Sequence, residues 1–315
     1  MFQEVAALRS TFQADILNLF PLKKPSSRFP RELYGLHKFR ELRNLERRHE
    51  LNHLYYGALY FFPVLRLLRN PIVFTVAAGL DGDNKPAALQ RLATFHRIVV
   101  SNERDAGVLR TWGLSNYTII PPGIDASGLT PRSLALTNEL TLLMASAPWE
   151  RQQFDLKGID TLLETAAKLP FVRLILLWRG MLFGELAERV ERHGIGDRVE
   201  IVDRKVKVNE YLNRAHATVL LAKHRDIVKS YPHSLIESLI SGKPVIVSDA
   251  IPMADYVRKN QCGVVVKDVS VRSLTTAIEA LRGRYEDMSR SAAQIGPDAF
   301  SIQAFIENHR RLYGV

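Results

Sequence analysis

The chain has 315 residues, 46% of them hydrophobic and 24% charged, with a single cysteine and a formal net charge of +10. That length exceeds what one hydrophobic core usually supports, so two domains are expected, and the composition excludes a disordered, collagenous or disulfide-built chain. Cys262, standing alone, excludes an intrachain disulfide and a multi-cysteine zinc site, while the basic balance calls for an anionic partner without choosing among nucleic acid, acidic membrane and a phosphorylated small molecule.

In chain order, Phe2 to Gln13 reads as a helix, and Met1 leads into Phe2-Gln3-Glu4 rather than into a basic segment and apolar run, so no targeting signal is expected. Ala14 to Phe20 reads as a strand. Lys23 to Arg48 holds nine Lys or Arg residues against Glu32, Glu41 and Glu46, and its Leu36 to Arg48 part reads as a basic helix. There Leu36, Phe39, Leu42 and Leu45 form an apolar stripe beside Lys38, Arg40, Arg43 and Arg47. Such a stripe either packs on a core with its basic face in water or contacts an anionic membrane peripherally, so 23–48 is a candidate for that contact. The most apolar stretch, Gly57 to Leu65, is followed by Arg66 and Arg69 and falls far short of the roughly 20 residues that span a bilayer. Ile72 to Val76 reads as a strand.

From residue 98 onward, short β-branched apolar runs alternate with amphipathic segments, the pattern of a parallel sheet with crossover helices. Strands are expected at Ile98 to Val100, Tyr117 to Ile120, Leu140 to Met144, Leu174 to Leu177, Val199 to Val202, Val219 to Leu221, Val245 to Val247 and Val264 to Val266, the last six forming one lobe. Helices are expected at Ile159 to Lys168, Gly184 to His193, Glu210 to Arg214, Ser234 to Ser241, Met253 to Lys259 and Val271 to Tyr285. Pro121-Pro122-Gly123 breaks regular structure and marks a domain boundary. In a doubly wound sheet, ligands bind beyond the carboxyl ends of the strands, so the loops there should carry the chemistry.

Two loops stand out. Lys229-Ser230-Tyr231-Pro232-His233-Ser234-Leu235 follows a strand and opens a helix, whose first N–H groups and partial positive charge suit a phosphate or ligand hydroxyls. Ser234 and Glu237 also have the spacing of a capping box, in which both side chains serve only the helix's own N–H groups. Lys157-Gly158 stands at another helix start, where glycine permits close backbone approach and Lys157 with Arg151 could neutralise a diphosphate, the alternative being solvated surface cations. The nine histidines show no metal-ligand spacing, and neither Gly-x-Gly-x-x-Gly nor a phosphate-loop Gly-Lys-Ser is present, so no metal site and no dinucleotide or P-loop site is expected. No recognition motif accompanies the basic segment, so no specific nucleic acid is expected either.

Taken together, several spaced motifs resemble family 4 (group 1) glycosyltransferases of the GT-B fold over residues 96–313. His96 to Ser101, then Ile119-Ile120-Pro121-Pro122-Gly123-Ile124-Asp125, is similar to that family's passage into its interdomain linker. Lys157 to Leu163 resembles its first C-lobe helix, Ser234 to Ile246 its donor-site helix and following strand, and Phe300 to Tyr313 its terminal helix. The resemblance implies an α/β protein with two doubly wound Rossmann-like lobes facing a cleft, divided as 1–123, 124–297 and a crossing helix at 298–315. It implies a retaining, metal-independent glycosyltransferase that moves a sugar from a UDP- or GDP-linked donor, with no further cofactor, to a glycan or lipid-linked acceptor, in the cytoplasm or at the inner membrane face. By the same resemblance Lys157 and Arg151 hold the donor diphosphate, Glu237 the ribose, Ser230 to Leu235 the sugar and phosphate oxygens, and Arg204, Lys205 and Val206 lie near the base.

Three features depart from the family pattern. Counting back from Glu237 by the family's spacing puts Lys229, a donor-only cation, where a first glutamate is expected. Ala77 and Ala78 stand where many relatives carry a histidine, and the chain opens on a helix, so the first lobe is expected to lack its first strand and Gly-rich loop. These departures motivate an alternative reading as a catalytically impaired nucleotide- or glycan-binding homologue.

Overall fold

The structure, a computed structural model, describes residues 2–20, 30–86, 89–178 and 181–314. It forms two compact units, one of Met1–Gly123 with Phe305–Val315 and the other of Ile124–Ala304. Lys23, Lys24 and Arg28 of the expected basic segment lie outside the described residues.

The first unit is built on a four-stranded parallel sheet of order β1-β2-β3-β4, with β1 at Asn52–Tyr56, β2 at Ile72–Val76, β3 at Arg97–Val100 and β4 at Tyr117–Ile119. Phe74 and Ile98 from the sheet pack with Val64, Leu92 and Leu109 in one buried cluster. Asn102 caps the helix Glu103–Thr111 by accepting from the Asp105 backbone N–H at 2.9 Å, while the buried Asp105 carboxylate accepts from Asn102 Nδ2 at 2.6 Å and from the Leu80 N–H at 3.0 Å. The expected strand at Ala14 to Phe20 does not form. Its backbone groups are committed elsewhere: the Leu19 carbonyl accepts from Gly35 at 3.1 Å and the Asn18 side chain accepts from the Phe20 N–H at 3.0 Å, leaving no ladder to join.

The expected basic helix is shorter than its pattern, a 3-10 turn at Leu36–Lys38 followed by an α-helix at Phe39–Glu46. Phe39, Leu42 and Leu45 are half-buried, and Leu42 packs against the core cluster. Buried Glu46 anchors this helix. Its carboxylate accepts from the backbone N–H of Arg69 at 2.6 Å and of Asn70 at 3.0 Å, from Asn52 Nδ2 at 3.2 Å and from Arg43 Nη1 at 2.5 Å. Burial alone would raise the Glu46 pKa, but these donors, led by the Asn70 and Arg69 N–H groups, hold it below its ordinary 4.5. Glu46→Gln turns an amide toward the donors and is expected to cost about 2–3 kcal/mol at pH 7. In urea titrations the gap between wild type and variant should be full at neutral pH and shrink as the pH falls below 4.5 through the folded pKa. A gap that does not change with pH would refute the anchor's charge.

The second unit carries a six-stranded parallel sheet: β5 at Leu140–Met144, β6 at Val172–Trp178, β7 at Val199–Asp203, β8 at Ala217–Leu220, β9 at Val245–Ser248 and β10 at Gly263–Val266, in the order β10-β9-β8-β5-β6-β7. All its pairings are parallel. Both faces are covered. Leu140, Leu142 and Met144 join one core with Ile159, Leu162, Leu274 and Ile278, whereas Leu143 joins another with Tyr211 and Leu212 on the opposite face. The stripe Ile159, Leu162, Leu163 and Ala166 is buried throughout, which is why that segment is the crossover helix Ile159–Lys168. Cys262 is buried here and its thiol pKa is pushed up to about 12 by that burial, so it behaves as a small apolar residue.

The chain lays down β5, β6 and β7 toward one edge, then returns to start β8 beside β5 and builds β9 and β10 toward the other. The winding therefore reverses between β5 and β8, and the crevice that opens there, beyond the carboxyl ends of the strands, is where such a sheet receives a ligand.

Candidate functional site

Beyond β5 the chain passes through 145–152 into the short helix Gln153–Leu156, and Lys157-Gly158 then starts the helix Ile159–Lys168. Gly158 has φ 62°, and a Cβ there would lie 2.7 Å from Val269 Cγ1 and 2.8 Å from Leu221 Cβ. Only glycine satisfies both the left-handed backbone and the missing space. Its neighbour Lys157 is buried, with Nζ donating to the Ala147 carbonyl at 2.8 Å, and burial lowers its pKa from the ordinary 10.5. A lysine that has given up most of its water and holds one neutral acceptor keeps two donors for an anion.

The loop beyond β8 is held against this one. The Lys223 backbone N–H donates to the Leu156 carbonyl at 2.8 Å and Lys223 Nζ meets Asp155 Oδ1 at 2.5 Å. At its base, Ser248 Oγ accepts from the Ala222 N–H at 2.8 Å and donates to the Ala222 carbonyl at 2.9 Å. The loop ends in the helix His233–Ile240, whose N-cap is Pro232 with no side-chain cap. The capping box read from Ser234 and Glu237 is therefore not formed: helical geometry begins one residue before Ser234, and the N–H groups of Leu235 and Ile236 both go to the Pro232 carbonyl, at 3.1 and 3.2 Å. The helix N-terminus carries the partial positive charge of its first N–H groups.

Lys157 follows β5 and the segment 230–234 follows the neighbouring strand β8, with half-buried Glu237 one turn into the helix. Within that segment roles divide. Tyr231 is buried against Tyr256 and Phe300, at ring distances of 6.4 and 5.7 Å, and Leu235 is buried in the core, so these two can serve a ligand only through their backbone. Ser230 and Pro232 are buried, His233 and Ser234 half-buried, and Lys229 exposed. Arg204 and Lys205 are exposed and Val206 half-buried beyond β7, which is two strands from β5 and so about 10 Å along the same rim. Arg151 is not directed to Lys157: its guanidinium extends into solvent and pairs with Glu185 at 2.7 Å. Lys223, Asp155 and Ser248 belong to the site's framework and were not apparent from sequence; Ser248 alone had a signal, as the polar residue ending an apolar strand. In the first unit, Ala77 and Ala78 end β2 with N–H groups donating to Tyr56 and Gly57 at 2.8 and 3.1 Å, and neither brings a titratable group. Among the described residues no group of three or more His, Cys, Asp or Glu could hold a metal ion, and no helix is long and apolar enough to cross a membrane.

Two parallel sheets of four and six strands, the second wound in opposite directions from a β5/β8 switch point, define an α/β protein of the GT-B type. Solved structures with this fold include a glycosyltransferase from Rickettsia africae (12% identity, 92% of this chain and 83% of that one covered, TM-score 0.71). Anabaena HepE in complex with UDP is similar at 13% identity over 91% and 85% of the two chains, with TM-score 0.68. The lipopolysaccharide-biosynthesis glycosyltransferase WaaG is similar at 13% over 99% and 95%, with TM-score 0.64. No curated protein sequence matches the chain. Residues 152–294, which hold Lys157, both switch-point loops and the His233–Ile240 helix, match the family model of group 1 glycosyl transferases.

Proposed function

We propose that the chain is a retaining glycosyltransferase that takes its sugar from a nucleoside-diphosphate donor bound at the β5/β8 crevice. The observation that carries this reading is Lys157, a buried ammonium with donors to spare beyond β5, taken with the N-terminus of His233–Ile240 beyond the neighbouring strand β8, which has no side-chain cap. Breaking the bond between the anomeric carbon and the diphosphate oxygen transfers negative charge to the leaving nucleoside diphosphate, and a fixed cation with a helix N-terminus stabilises that charge where it develops. In the same reading Glu237 accepts from the ribose hydroxyls, Ser234 and the N–H groups around it contact sugar and phosphate oxygens, and Arg204 to Val206 flank the base. Arg151 joins the diphosphate only by leaving Glu185. The acceptor in this reading is a glycan or a lipid-linked acceptor. Complexes of the Anabaena neighbour with UDP and with UDP-glucose favour a uridine donor.

Isothermal titration of the full chain with UDP, GDP and ADP tests the site. UDP is expected to bind, and Lys157→Met to weaken it about tenfold or more, the loss of a charge-assisted hydrogen bond. Failure of all three nucleotides to bind would sink the proposal. Binding without transfer or hydrolysis of the nucleotide sugar would favour the impaired homologue instead, with Lys229 in place of a carboxylate as its physical reason.

A further inference from the structure

The first unit holds a cleft of about 520 Å³, lined entirely by its own residues and separate from those of the donor site. It lies where the start of β3, the edge strand β4 and the end of the helix Ile302–Tyr313 meet. Its polar lining is His96, Arg97, Thr118, Asn308 and Arg311, and no carboxylate lines it. Among the described residues Arg97 has no ion pair, and Arg311 has only a solvent-exposed one with Glu307 at 3.4 Å, of a kind that contributes little. Two guanidiniums thus border one concavity that no carboxylate lines, which concentrates positive potential inside it. An edge strand adds backbone groups with no ladder partner on its outer side.

The rest of the lining is apolar or aromatic, and its aromatic wall is fixed. Tyr313 OH is 2.5 Å from His53 Nδ1 and its ring meets Phe12 edge-on at 5.0 Å. A charged end beside an apolar wall, with room for more than an inorganic ion, describes a site for an anionic group on an organic body. Guanidinium forks match the oxygens of a phosphate better than ammonium groups do.

We propose that this cleft is a second ligand site, taking a phosphomonoester whose phosphate is held by Arg97 and Arg311 and whose organic body lies along Tyr313. The ester could be a free sugar phosphate or a lipid headgroup, and three probes separate these: inorganic phosphate, glucose 6-phosphate, and vesicles containing phosphatidic acid compared with neutral vesicles. In titrations of the full chain, saturable binding of glucose 6-phosphate tighter than inorganic phosphate is expected. Arg97→Gln and Arg311→Gln should each weaken it about tenfold or more, Arg97→Lys less so, and Lys157→Met not at all. Melting temperatures of the variants show that they fold. Vesicle binding lost in the same arginine variants, with no response to glucose 6-phosphate, assigns the headgroup source. No saturable binding of any probe, binding indifferent to both arginines, or binding lost with Lys157→Met instead would overturn the proposal. UDP titration is independent of this cleft, so the donor site can fail while this one stands, and the reverse.

Discussion

Gly296→Ala is expected to destabilise the second unit by about 2–3 kcal/mol and to weaken UDP binding as well. Gly296 lies in the helix Tyr285–Phe300, which packs against His233–Ile240. A Cβ at 296 would stand 2.4 Å from both the carbonyl carbon and the oxygen of Leu239 and 2.7 Å from the Ile240 nitrogen. Those are backbone atoms, so no rotamer change relieves the overlap and the two helices must separate. Alanine's better helix propensity returns only about 1 kcal/mol, too little to offset the overlap and the packing lost around it. The helix displaced is the one whose first turns carry Ser234 and Glu237, with Leu235, Ile236 and Leu239 buried beneath. Calorimetry should therefore show a fall of roughly 4–10 °C in the unfolding midpoint, and titration a reduced UDP affinity in the folded variant. An unchanged midpoint would mean that the two helices do not pack as closely as described.

What the sequence reveals of this protein depends on which force decides each element. Buried parallel strands must be apolar on both faces, so β5 to β10 stand out as β-branched runs, and their crossover helices follow from the stripe Ile159, Leu162, Leu163 and Ala166. β1 gives no such signal because all five residues of Asn52–Tyr56 are only half-buried, and Asn and His interrupt its apolar pattern. Ala14 to Phe20 has the opposite fault: its pattern suits a strand, but local side-chain bonds and the contact to Gly35 use the backbone first. Gly158 is legible because its left-handed backbone and the closeness of Val269 and Leu221 admit only glycine. The capping box misleads because spacing alone cannot show that Pro232 already starts the helix. Arg151 is near Lys157 in sequence but its partner is Glu185, and the Lys223–Asp155 pair joins residues that only the β5/β8 return brings together.

Lys243→Met is expected to stabilise the protein, by about 3 kcal/mol at pH 7. Lys243 precedes β9 and is fully buried, and among the described residues its Nζ has no hydrogen-bond partner. The backbone around it is satisfied: its N–H donates to the Ser238 carbonyl at 2.8 Å and its carbonyl accepts from Ser238 Oγ at 3.2 Å, so the side chain alone is at stake. Burial, with repulsion from Arg132 added, lowers the Lys243 pKa from the ordinary 10.5 to about 8. Below pH 8 the side chain is charged in both the folded and the unfolded chain, and the full cost of burying the ammonium falls on the folded state. Between pH 8 and 10.5 the folded protein releases this proton while the unfolded chain keeps it, so stability rises with pH, and above that range the cost is gone. Methionine has nearly the same length, carries no charge and needs no donor or acceptor, so it removes the cost without opening a cavity. The variant's advantage in unfolding midpoint should therefore be full at pH 7, shrink steadily from pH 8 and be nearly absent by pH 10.5. A variant less stable than the wild type at pH 7 would show instead that the ammonium is compensated inside the fold.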